Sequence, residues 1–491
     1  MPKIHKREHS RATFYLSEFV LDKLRQRRAY TNQSSSEFID GLIRTEMKIA
    51  ETPRNLMKIC VVGTGYVGIV TGATLAEAGH SVTCLDIIEE KIADIKKGIS
   101  PIYEPGLEQL IKNGLNNGNL DASTELEENI ANSEVVFICV GTPSNEDGSI
   151  DLRYIENVSK IIGKAIKGSE KEIVIVVKST VVPLTTEETV QRIIFEESER
   201  GRETIGIAMN PEFLREGSAI KDALNPDRIV LGCADEISKD ALMKIYEGHT
   251  CPIMHCDPRT AEMIKYSSNS FLATKISFVN ELANMCNKWN MDFERVAEGM
   301  GLDSRISNQF LRAGVGFGGS CFPKDVKALR RAAKNEGLNS EMLDATLSVN
   351  ENQPEIVVNM AREKIGGLKN KKIAILGLAF KADTDDIRES RAFSIVEKLK
   401  VENAQVIGHD PQAAETFSAE SGIECTKILE DALRNADCAI IQTEWSEYKT
   451  LEPEFFCKIM KTPVIIDGRR TFDNGYFANT DVEYLAIGLG N

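Results

Sequence analysis

Short runs of β-branched and other apolar residues alternate with longer amphipathic segments along most of the chain, which is the pattern of an α/β protein. The first run, residues 57–62, leads through a glycine-rich turn into a helical pattern that ends near Ala78. Four later runs have the same short, apolar character: Ser81 to Leu85, Glu134 to Val140, Ile173 to Val177 and Ile205 to Met209. We therefore predict a parallel sheet, covered by helices on both faces, between residues 57 and 255.

One long helical pattern follows, and then the strands return. From Pro258 to about Trp289 apolar residues recur at helical spacing, with no further proline or glycine. The elements after it are predicted at Lys372 to Leu376 (strand), Ala392 to Glu402 (helix) and Gln405 to Gly408 (strand). The predicted fold class is α/β, with two Rossmann-like, doubly wound parallel-sheet domains (57–255 and 369–491) joined by a long central helix within residues 256–368.

Residues 1–56 have a different pattern. Polar and apolar residues alternate at Ser10 to Leu16, and helical patterns cover Ser17 to Arg28 and Glu37 to Lys48. This small strand-helix-helix segment resembles a ribbon-helix-helix DNA-binding module, with His9, Arg11 and Thr13 on one strand face. Eleven Lys and Arg stand against seven Asp and Glu, a net of +4, so the remaining residues carry −19 within the total of −15. DNA contact, a solvated appendage used in assembly and a misassigned start all remain open.

The first strand is followed directly by a GxGxxG motif made by Gly63, Gly65 and Gly68. Glycines allow backbone amides to approach a pyrophosphate, and a helix N-terminus favours an anion there. Asp86 ends the second strand, near the spacing at which a carboxylate accepts a hydrogen bond from an adenosine ribose hydroxyl. We predict a dinucleotide site, and an acidic residue at this position favours NAD over NADP.

A second glycine-rich string, GVGFGGSCFPKD at residues 314–325, surrounds Cys321. Lys324 follows it by three residues and Asp325 by four. A nearby ammonium favours the thiolate, which is the nucleophilic form of cysteine, so we expect Lys324 and the loop amides to lower the pKa of Cys321. From this segment alone, a turn with a structural cysteine is an equal alternative. Together with a nicotinamide domain, an activated cysteine suggests oxidation of an alcohol to an aldehyde, thiohemiacetal formation, oxidation to a thioester and hydrolysis.

From residue 57 to its C-terminus the chain resembles the UDP-glucose/GDP-mannose dehydrogenase family, and within it the UDP-glucose branch. The motifs that carry the resemblance are GTGYVG at 63–68, VGTP at 140–143, KST at 178–180, NPEFLREG at 210–217, the cysteine string, GLAFK at 377–381 and DGRR at 467–470. The resemblance implies that the C-terminal domain, which lacks GxGxxG, binds the UDP part of a sugar nucleotide.

The resemblance also implies catalytic roles. Cys321 is the expected nucleophile, and Asp325 and Thr180 are expected to orient the water that hydrolyses the thioester. Lys265 and Asn269, four residues apart on the long helix, would stabilise an alkoxide and an oxyanion. Glu212 is assigned to proton transfer. Glu212 and Glu216 are also four apart, so on a helix both would face one side. Without the resemblance, solvated surface groups are an alternative for both pairs, and for Lys265 and Asn269 they are the favoured one.

Binding residues follow in the same way. The resemblance implies NAD contacts at Gly63, Gly65, Tyr66, Val67, Gly68, Asp86, Lys91, Thr142, Thr180, Glu216, Lys324 and Arg388. It implies sugar-nucleotide contacts at Glu212, Phe213, Leu214, Arg215, Glu216, Lys265, Asn269, Arg305, Phe317, Gly318, Lys381, Arg469 and Arg470. Arg305 would come from the neighbouring subunit, so a homodimer or a higher homo-oligomer is expected.

Composition limits the remaining classes. No apolar stretch approaches the roughly 20 residues of a membrane span, and the N-terminus lacks a signal-peptide pattern, so we expect no membrane partner and a cytoplasmic location. The 11 cysteines are an odd number and scattered, which argues against a disulfide framework. Cys251 and Cys256 flank His255 without a second ligand pair, so we expect no metal.

The function predicted is NAD-dependent, four-electron oxidation of the C6 hydroxyl of UDP-glucose to UDP-glucuronate. GDP-mannose and UDP-N-acetylhexosamine are the alternative substrates. An alternative from another class is a metabolite-sensing regulator, with a DNA-binding head on an inactive dehydrogenase body.

Overall fold

The computed structural model describes residues 56–490. The predicted strand-helix-helix segment of residues 1–56, with its DNA contact, therefore lies outside the described residues except for Leu56. Among the helices of residues 56–490, none combines the length and the hydropathy of a membrane span.

The first sheet contains eight strands, in the spatial order 3-2-1-4-5-6-7-8. Their bounds are β1 Lys58–Val62, β2 Ser81–Leu85, β3 Leu120–Ser123, β4 Val135–Ile138, β5 Ile173–Val177, β6 Ile205–Met209, β7 Ile229–Cys233 and β8 Ile253–Cys256. Val62 lies level with Leu85 on one side and with Ile138 on the other. The strand order reverses at β1, so a crevice opens beside the carboxyl end of β1, where doubly wound sheets bind their ligands.

Helices cover both faces of this sheet, and two apolar clusters, one on each face, form its core. Their bounds are α1 Tyr66–Glu77, α2 Glu89–Lys96, α3 Leu107–Asn116, α4 Leu126–Asn132, α5 Arg153–Ala165, α6 Arg192–Ser198, α7 Ala219–Leu224 and α8 Glu236–Ile245. A π-helical segment, Thr185–Gln191, precedes α6. The predicted α/β class with a Rossmann-like sheet is confirmed in this part of the chain.

The expectation of a wholly parallel sheet was wrong in one place. β7 pairs with β6 in the antiparallel sense, while β8 is parallel to β7. The helix between these two strands, α7, has six residues and rises only about 9 Å, less than the roughly 16 Å length of a five-residue strand. The chain therefore turns back near the carboxyl edge, because a parallel pair would need a full crossover.

Four helices join the two sheets: α9 Pro258–Lys288, α10 Phe293–Gly301, α11 Phe322–Asn335 and α12 Glu341–Lys364. The long helix α9 begins where predicted, because the Asp257 side chain accepts a hydrogen bond from the Thr260 amide and Pro258 occupies its first turn. Ala261 near its N-terminus packs in the core of the first sheet, whereas Val279 and Ala283 pack in the core of the second. Helix α9 therefore packs against both sheets.

The second sheet has six parallel strands in the order 11-10-9-12-13-14, which repeats the order of the first six strands. Its elements are β9 Lys372–Leu376, α13 Arg391–Val401, β10 Gln405–His409, α14 Ala414–Ser421, β11 Glu424–Thr426, α15 Leu429–Leu433, β12 Cys438–Ile441, α16 Pro453–Ile459, β13 Val464–Asp467 and β14 Glu483–Ala486. The second Rossmann-like domain is therefore also confirmed, while the exact domain boundaries remain a prediction.

Two glycines of the GxGxxG turn differ sharply in their surroundings. A methyl group on Gly68 would lie 1.8 Å from the carbonyl oxygen of Gly63 and 3.1 Å from Cβ of Cys139. A methyl group on Gly65 would have no atom within 4 Å. Gly68 therefore packs helix α1 against the sheet, whereas Gly65 leaves free space at the start of that helix.

We predict that Gly68→Ala lowers the Tm of the ligand-free protein by several degrees, because such overpacking costs about 1–3 kcal/mol. Gly65→Ala serves as the matched control and leaves the Tm near that of the parent chain. Thermal unfolding followed by circular dichroism tests both variants. Equal Tm values for the two would contradict this account of the turn.

Candidate active site

The loop that carries Cys321, residues 314–321, is held in place by buried amide side chains of the central helices. The Asn280 side chain on α9 accepts a hydrogen bond from the Gly314 amide at 2.7 Å. The Asn350 side chain on α12 accepts from the Phe317 amide at 2.7 Å and donates to its carbonyl at 3.0 Å. These contacts fix the loop backbone, so the thiol at its end has a defined position.

Helix α11 starts directly after the thiol. Pro323 lies in the first turn of this helix, where backbone N–H groups have no partner within the helix. The proline therefore costs no helical hydrogen bond. Gly319 has φ +83°, and a methyl group there would lie 2.8 Å from the ring of Phe380. The glycine thus permits close contact with the GLAFK segment of the second domain.

Two buried polar pairs lie on one face of α9, as the four-residue spacing predicted. Nζ of Lys265 is 2.8 Å from Oε1 of Glu212, and these side chains are only 3 % and 6 % exposed. Nδ2 of Asn269 donates to Oδ2 of Asp325 at 2.6 Å. The alternative that Lys265 and Asn269 are solvated surface groups is therefore wrong.

The ion pair keeps both of its partners charged. Burial alone would raise the pKa of Glu212, but the charge and hydrogen bond of Lys265 hold it below its ordinary value. Burial would likewise lower the pKa of Lys265, but Glu212, together with Cys321 and Asp325, keeps it above its ordinary value. The site therefore holds a fixed ammonium beside the thiol in a region with little water.

The thiol of Cys321 is not activated in the way expected from the sequence. Loss of hydration and the carboxylate of Glu212 raise its pKa to about 11, and Lys265 opposes this rise. Nζ of Lys324 instead lies 2.6 Å from Oδ1 of Asp325. The expectation that Lys324 lowers the pKa of Cys321 was wrong, because an adjacent carboxylate engages that ammonium. The Cys321 residue as a whole is nevertheless exposed, so this end of the loop is accessible from solvent.

A second carboxylate, Glu216, lies on the other side of the thiol. Oγ of Ser320 donates to Oε1 of Glu216 at 3.2 Å and lies 3.5 Å from Sγ of Cys321. Burial and the nearby Asp386 raise the pKa of Glu216 to about 7, while Arg388, 3.6 Å away, acts against them. Glu216 therefore titrates close to neutral pH, beside the nucleophile.

Glu212 and Glu216 do not share a helix face, because this part of the chain is not helical. Residues 210–218 form an irregular loop after β6. Within it, the Glu212 carboxylate accepts from the Leu214 amide at 2.5 Å, and Gly217 has φ +78°. Local carboxylate-to-backbone bonding of this kind competes with helix formation. The loop turns the two carboxylates toward different partners.

Phe213 and Arg215, both close to Glu212 in the sequence, make different contacts. The guanidinium of Arg228 stacks on the Phe213 ring at 3.8 Å, and Nζ of Lys265 is 5.4 Å from that ring. Arg215 is bound by Asp222 at 2.6 Å on the surface. Phe213 thus provides an apolar wall beside the buried ammonium.

Asp86, Thr142 and Thr180, which are among the residues expected to bind the dinucleotide, follow strands at the carboxyl edge of the first sheet. Oδ2 of Asp86 accepts from both the amide and the hydroxyl of Thr64, at 2.8 and 2.6 Å. Burial would raise the pKa of Asp86, but these bonds and the charge of Lys91 hold it below its ordinary value. The Thr142 hydroxyl donates to the Thr180 carbonyl at 2.9 Å, which joins the ends of β4 and β5.

The cations expected at the sugar nucleotide are not all in one place. Nζ of Lys381 donates to the Glu216 carbonyl at 2.5 Å, and the partly buried Arg469 borders Gly314 of the cysteine loop. Arg470 turns away to Asp292 and Glu294, at 2.9 and 3.1 Å, and lines a separate pocket of about 220 Å³ beside α10. Arg305 is 88 % exposed and pairs with Asp303.

Three residues at this site escaped the sequence reasoning. Ser320 lies inside the cysteine string and Asp386 follows the GLAFK segment by five residues, so both could have been found by their position. Glu104 has no motif signal, because its partners are distant in sequence. Among residues 56–490, no three His, Cys, Asp or Glu side chains converge as they would around a metal ion.

Comparison with known proteins agrees with this arrangement. Models of the UDP-glucose/GDP-mannose dehydrogenase family match the NAD binding domain at residues 57–250, the central domain at 259–352 and the UDP binding domain at 374–474. UDP-glucose 6-dehydrogenase YwqF of Bacillus subtilis is 43 % identical over 434 residues, which cover 88 % of this chain and 98 % of that protein.

Solved structures give the same picture. A UDP-glucose dehydrogenase from Pyrobaculum islandicum matches with a TM-score of 0.84 and 38 % identity, over 90 % of this chain and 99 % of that one. A UDP-D-ManNAc dehydrogenase from Pyrococcus horikoshii matches with a TM-score of 0.78 and 28 % identity, over 88 % and 99 %.

We predict that alkylation of Cys321 by iodoacetamide accelerates about tenfold per pH unit between pH 7 and 9, because the thiol titrates well above this range. Peptide-resolved mass spectrometry of the ligand-free protein measures the rate. Lys265→Met should slow alkylation at every pH, since the cation that opposes the rise in pKa is lost. A rate that levels off below pH 8 would mean that the thiol is already ionised and would contradict the structural account.

Proposed function

Because the chain belongs to the UDP-glucose/GDP-mannose dehydrogenase family, we propose that it oxidises carbon 6 of UDP-glucose twice, with NAD, to give UDP-glucuronate. The observation that carries this proposal is the accessible Cys321 beside the buried Lys265–Glu212 pair. A nucleophile next to a fixed cation suits a reaction in which negative charge develops on an oxygen.

The residues of the first domain fit NAD. Gly65 leaves open space at the N-terminus of α1, where backbone amides can meet a pyrophosphate. The ionised Asp86 at the end of β2 suits a ribose hydroxyl, and Lys91 lies near it. Bound NAD supplies the hydride acceptor for each oxidation. We also assign Thr142, Glu216 and Arg388 to this side of the site.

In the first oxidation, carbon 6 loses a hydride and its hydroxyl loses a proton, which gives an aldehyde. Lys265 and Asn269 stabilise the alkoxide that forms on the way. The S–H of Cys321 then adds across the C=O bond: sulfur bonds to carbon 6, and oxygen gains a proton. This thiohemiacetal holds the half-oxidised sugar in place.

In the second oxidation the same carbon loses another hydride and the hydroxyl loses a proton, which leaves a thioester. Water, oriented by Asp325 and Thr180, attacks the thioester carbon while Glu212 accepts its proton. The C–S bond breaks, sulfur regains a proton, and a carboxylate is released. Two hydrides and three protons leave in total, and water supplies the added oxygen.

The choice of sugar nucleotide rests on the relatives. Those named for UDP-glucose are 43 % and 38 % identical, whereas the enzyme named for UDP-D-ManNAc is 28 % identical. The family's UDP binding domain covers residues 374–474 and supports a UDP-sugar. Lys381 and Arg469 are the cations we assign to its pyrophosphate. Phe317 and Gly318 lie where the hexose would meet the cysteine loop.

We predict that the protein forms two NADH per UDP-glucose consumed, and that Cys321→Ser lowers the steady-state rate at least about a hundredfold, since the thioester cannot form. NADH absorbance combined with chromatography of the product measures both quantities. Cys457→Ser changes another exposed cysteine, on α16, and should keep the parent rate. One NADH per sugar would contradict the four-electron reaction, and a higher kcat/KM for GDP-mannose or a UDP-N-acetylhexosamine would overturn the choice of substrate.

We further propose that the protein is a homodimer built on α9. Phe271, Phe278 and Met285 recur every seven residues and are 66 %, 53 % and 37 % exposed. An apolar stripe of this kind on the surface of a helix marks an association site, and a second copy of the same helix is a suitable partner. The exposed Arg305 would then reach the sugar nucleotide in the partner subunit, which explains its lack of contact with its own site.

We predict that Arg305→Ala and Cys321→Ser are each nearly inactive, but that a heterodimer of the two regains about half of the parent rate, because a two-fold dimer then holds one complete site. Co-expression with two different tags, followed by tandem purification, isolates the heterodimer for assay. A heterodimer as inactive as either parent variant would contradict the exchange of Arg305 between subunits.

DNA contact through residues 1–56 and a cytoplasmic location remain predictions. The net charge of +4 on this segment supports the first. The reading of the body as an inactive sensor is disfavoured, because Cys321, Lys265 and Asp325 lie together.

A further inference from the structure

The carboxylate of Glu104 joins two segments that are far apart in sequence. Glu104 lies between α2 and α3 and is 6 % exposed. It accepts hydrogen bonds from the Gly217 amide at 2.6 Å, from the Ala219 amide at 2.7 Å and from the Tyr66 hydroxyl. Burial and the neighbouring carboxylate raise the pKa of Tyr66, so its hydroxyl stays protonated and donates.

These partners belong to the two halves of the site. Tyr66 is the first residue of α1 and lies inside the GxGxxG turn, directly after Gly65. Gly217 belongs to the loop of residues 210–218, which carries Glu212 and Glu216. Glu104 therefore connects the turn that holds the dinucleotide to the loop assigned to the sugar nucleotide.

The opposite side of the same loop is held by the second domain. Nζ of Lys381 donates to the Glu216 carbonyl at 2.5 Å. A methyl group on Gly217 would lie 2.9 Å from the carbonyl oxygen of Asp383, so the backbones pass in close contact. A shift of the loop toward a sugar nucleotide therefore alters its bonds to Glu104, and through Glu104 the position of Tyr66.

We propose that Glu104 is a positioning residue through which NAD binding at the GxGxxG turn and sugar-nucleotide binding at residues 210–218 strengthen each other. The proposal rests on the function proposed above. It requires that the two ligands bind with positive coupling, and that the coupling passes through the Tyr66 hydroxyl. Coupling of this kind is reciprocal, so each ligand raises the affinity of the other by the same factor.

Tyr66→Phe is the decisive variant. It removes the hydroxyl, and with it both the bond to Glu104 and a contact in which the hydroxyl accepts from the Gly217 amide at 3.1 Å. The ring and the two amide bonds to Glu104 stay in place. Glu104→Gln is harsher, because its NH₂ group would face the amide donors of Gly217 or Ala219. Tyr103→Phe is the matched control: it makes the same chemical change on the exposed neighbour of Glu104.

Isothermal titration measures the Kd of NAD with and without saturating UDP, and the Kd of UDP with and without NAD, so that no turnover is needed. In the parent chain and in Tyr103→Phe we expect each ligand to tighten the other at least about fivefold. In Tyr66→Phe and Glu104→Gln we expect this factor to fall to about one, whatever the change in the Kd of each ligand alone. The ligand-free Tm of each variant reports whether the fold is intact.

Retention of the coupling factor in Tyr66→Phe would overturn the proposal, as would a parent chain that binds both ligands without coupling. A parent chain that binds neither NAD nor UDP would instead refute the proposed function, and this inference with it. A uniform loss of affinity for both ligands in Tyr66→Phe, with coupling unchanged, would show a structural role only and would also overturn it.

Discussion

The site depends on one buried ion pair, formed by Lys265 and Glu212. Removing two charges from water costs several kcal/mol for each, and their attraction offsets this cost only while both are present and well oriented. The pair must therefore be held by rigid parts. Helix α9 supplies the lysine, and the loop after β6 supplies the carboxylate, so the pair can exist only when the first sheet and the central helix are packed together.

The cost of this pair has a chemical use. A charge fixed in a region with little water acts strongly on its neighbours and does not reorganise when charge develops during a reaction. Asn269 and Asp325 extend the same arrangement one turn along α9. Lys324 forms an ion pair with Asp325 from the solvent side. The Asp325 carboxylate therefore lies near the thiol without an unpaired charge.

Local patterns were enough to predict most of the fold. The bounds of β2, β5, β6 and β9 agree with the sequence, because short β-branched runs between turns specify strands by themselves. The spacing of Lys265 and Asn269 succeeded for the same reason, since a long helix fixes which residues share a face. The spacing of Glu212 and Glu216 was not informative, because the Glu212 carboxylate bonds to the Leu214 amide and the segment is not helical. The parallel direction expected throughout the first sheet failed at β7, because it depends on the length of α7. The pKa of the Cys321 thiol was predicted in the wrong direction, because Lys324 forms an ion pair with Asp325.

Glu104, which sequence reasoning could not find, has partners that are separated from it by many positions. Glu104 bonds to groups 38, 113 and 115 positions away, and no spacing rule connects such groups. Yet these contacts decide how residues 210–218 are held, with the first domain on one side and Lys381 of the second on the other. The loop that carries both carboxylates is therefore not free to adjust to one ligand alone. The position of this loop depends on both domains. Motifs are therefore enough to identify the chemistry of the site, whereas the coupling between its two ligand sites is visible only in the folded structure.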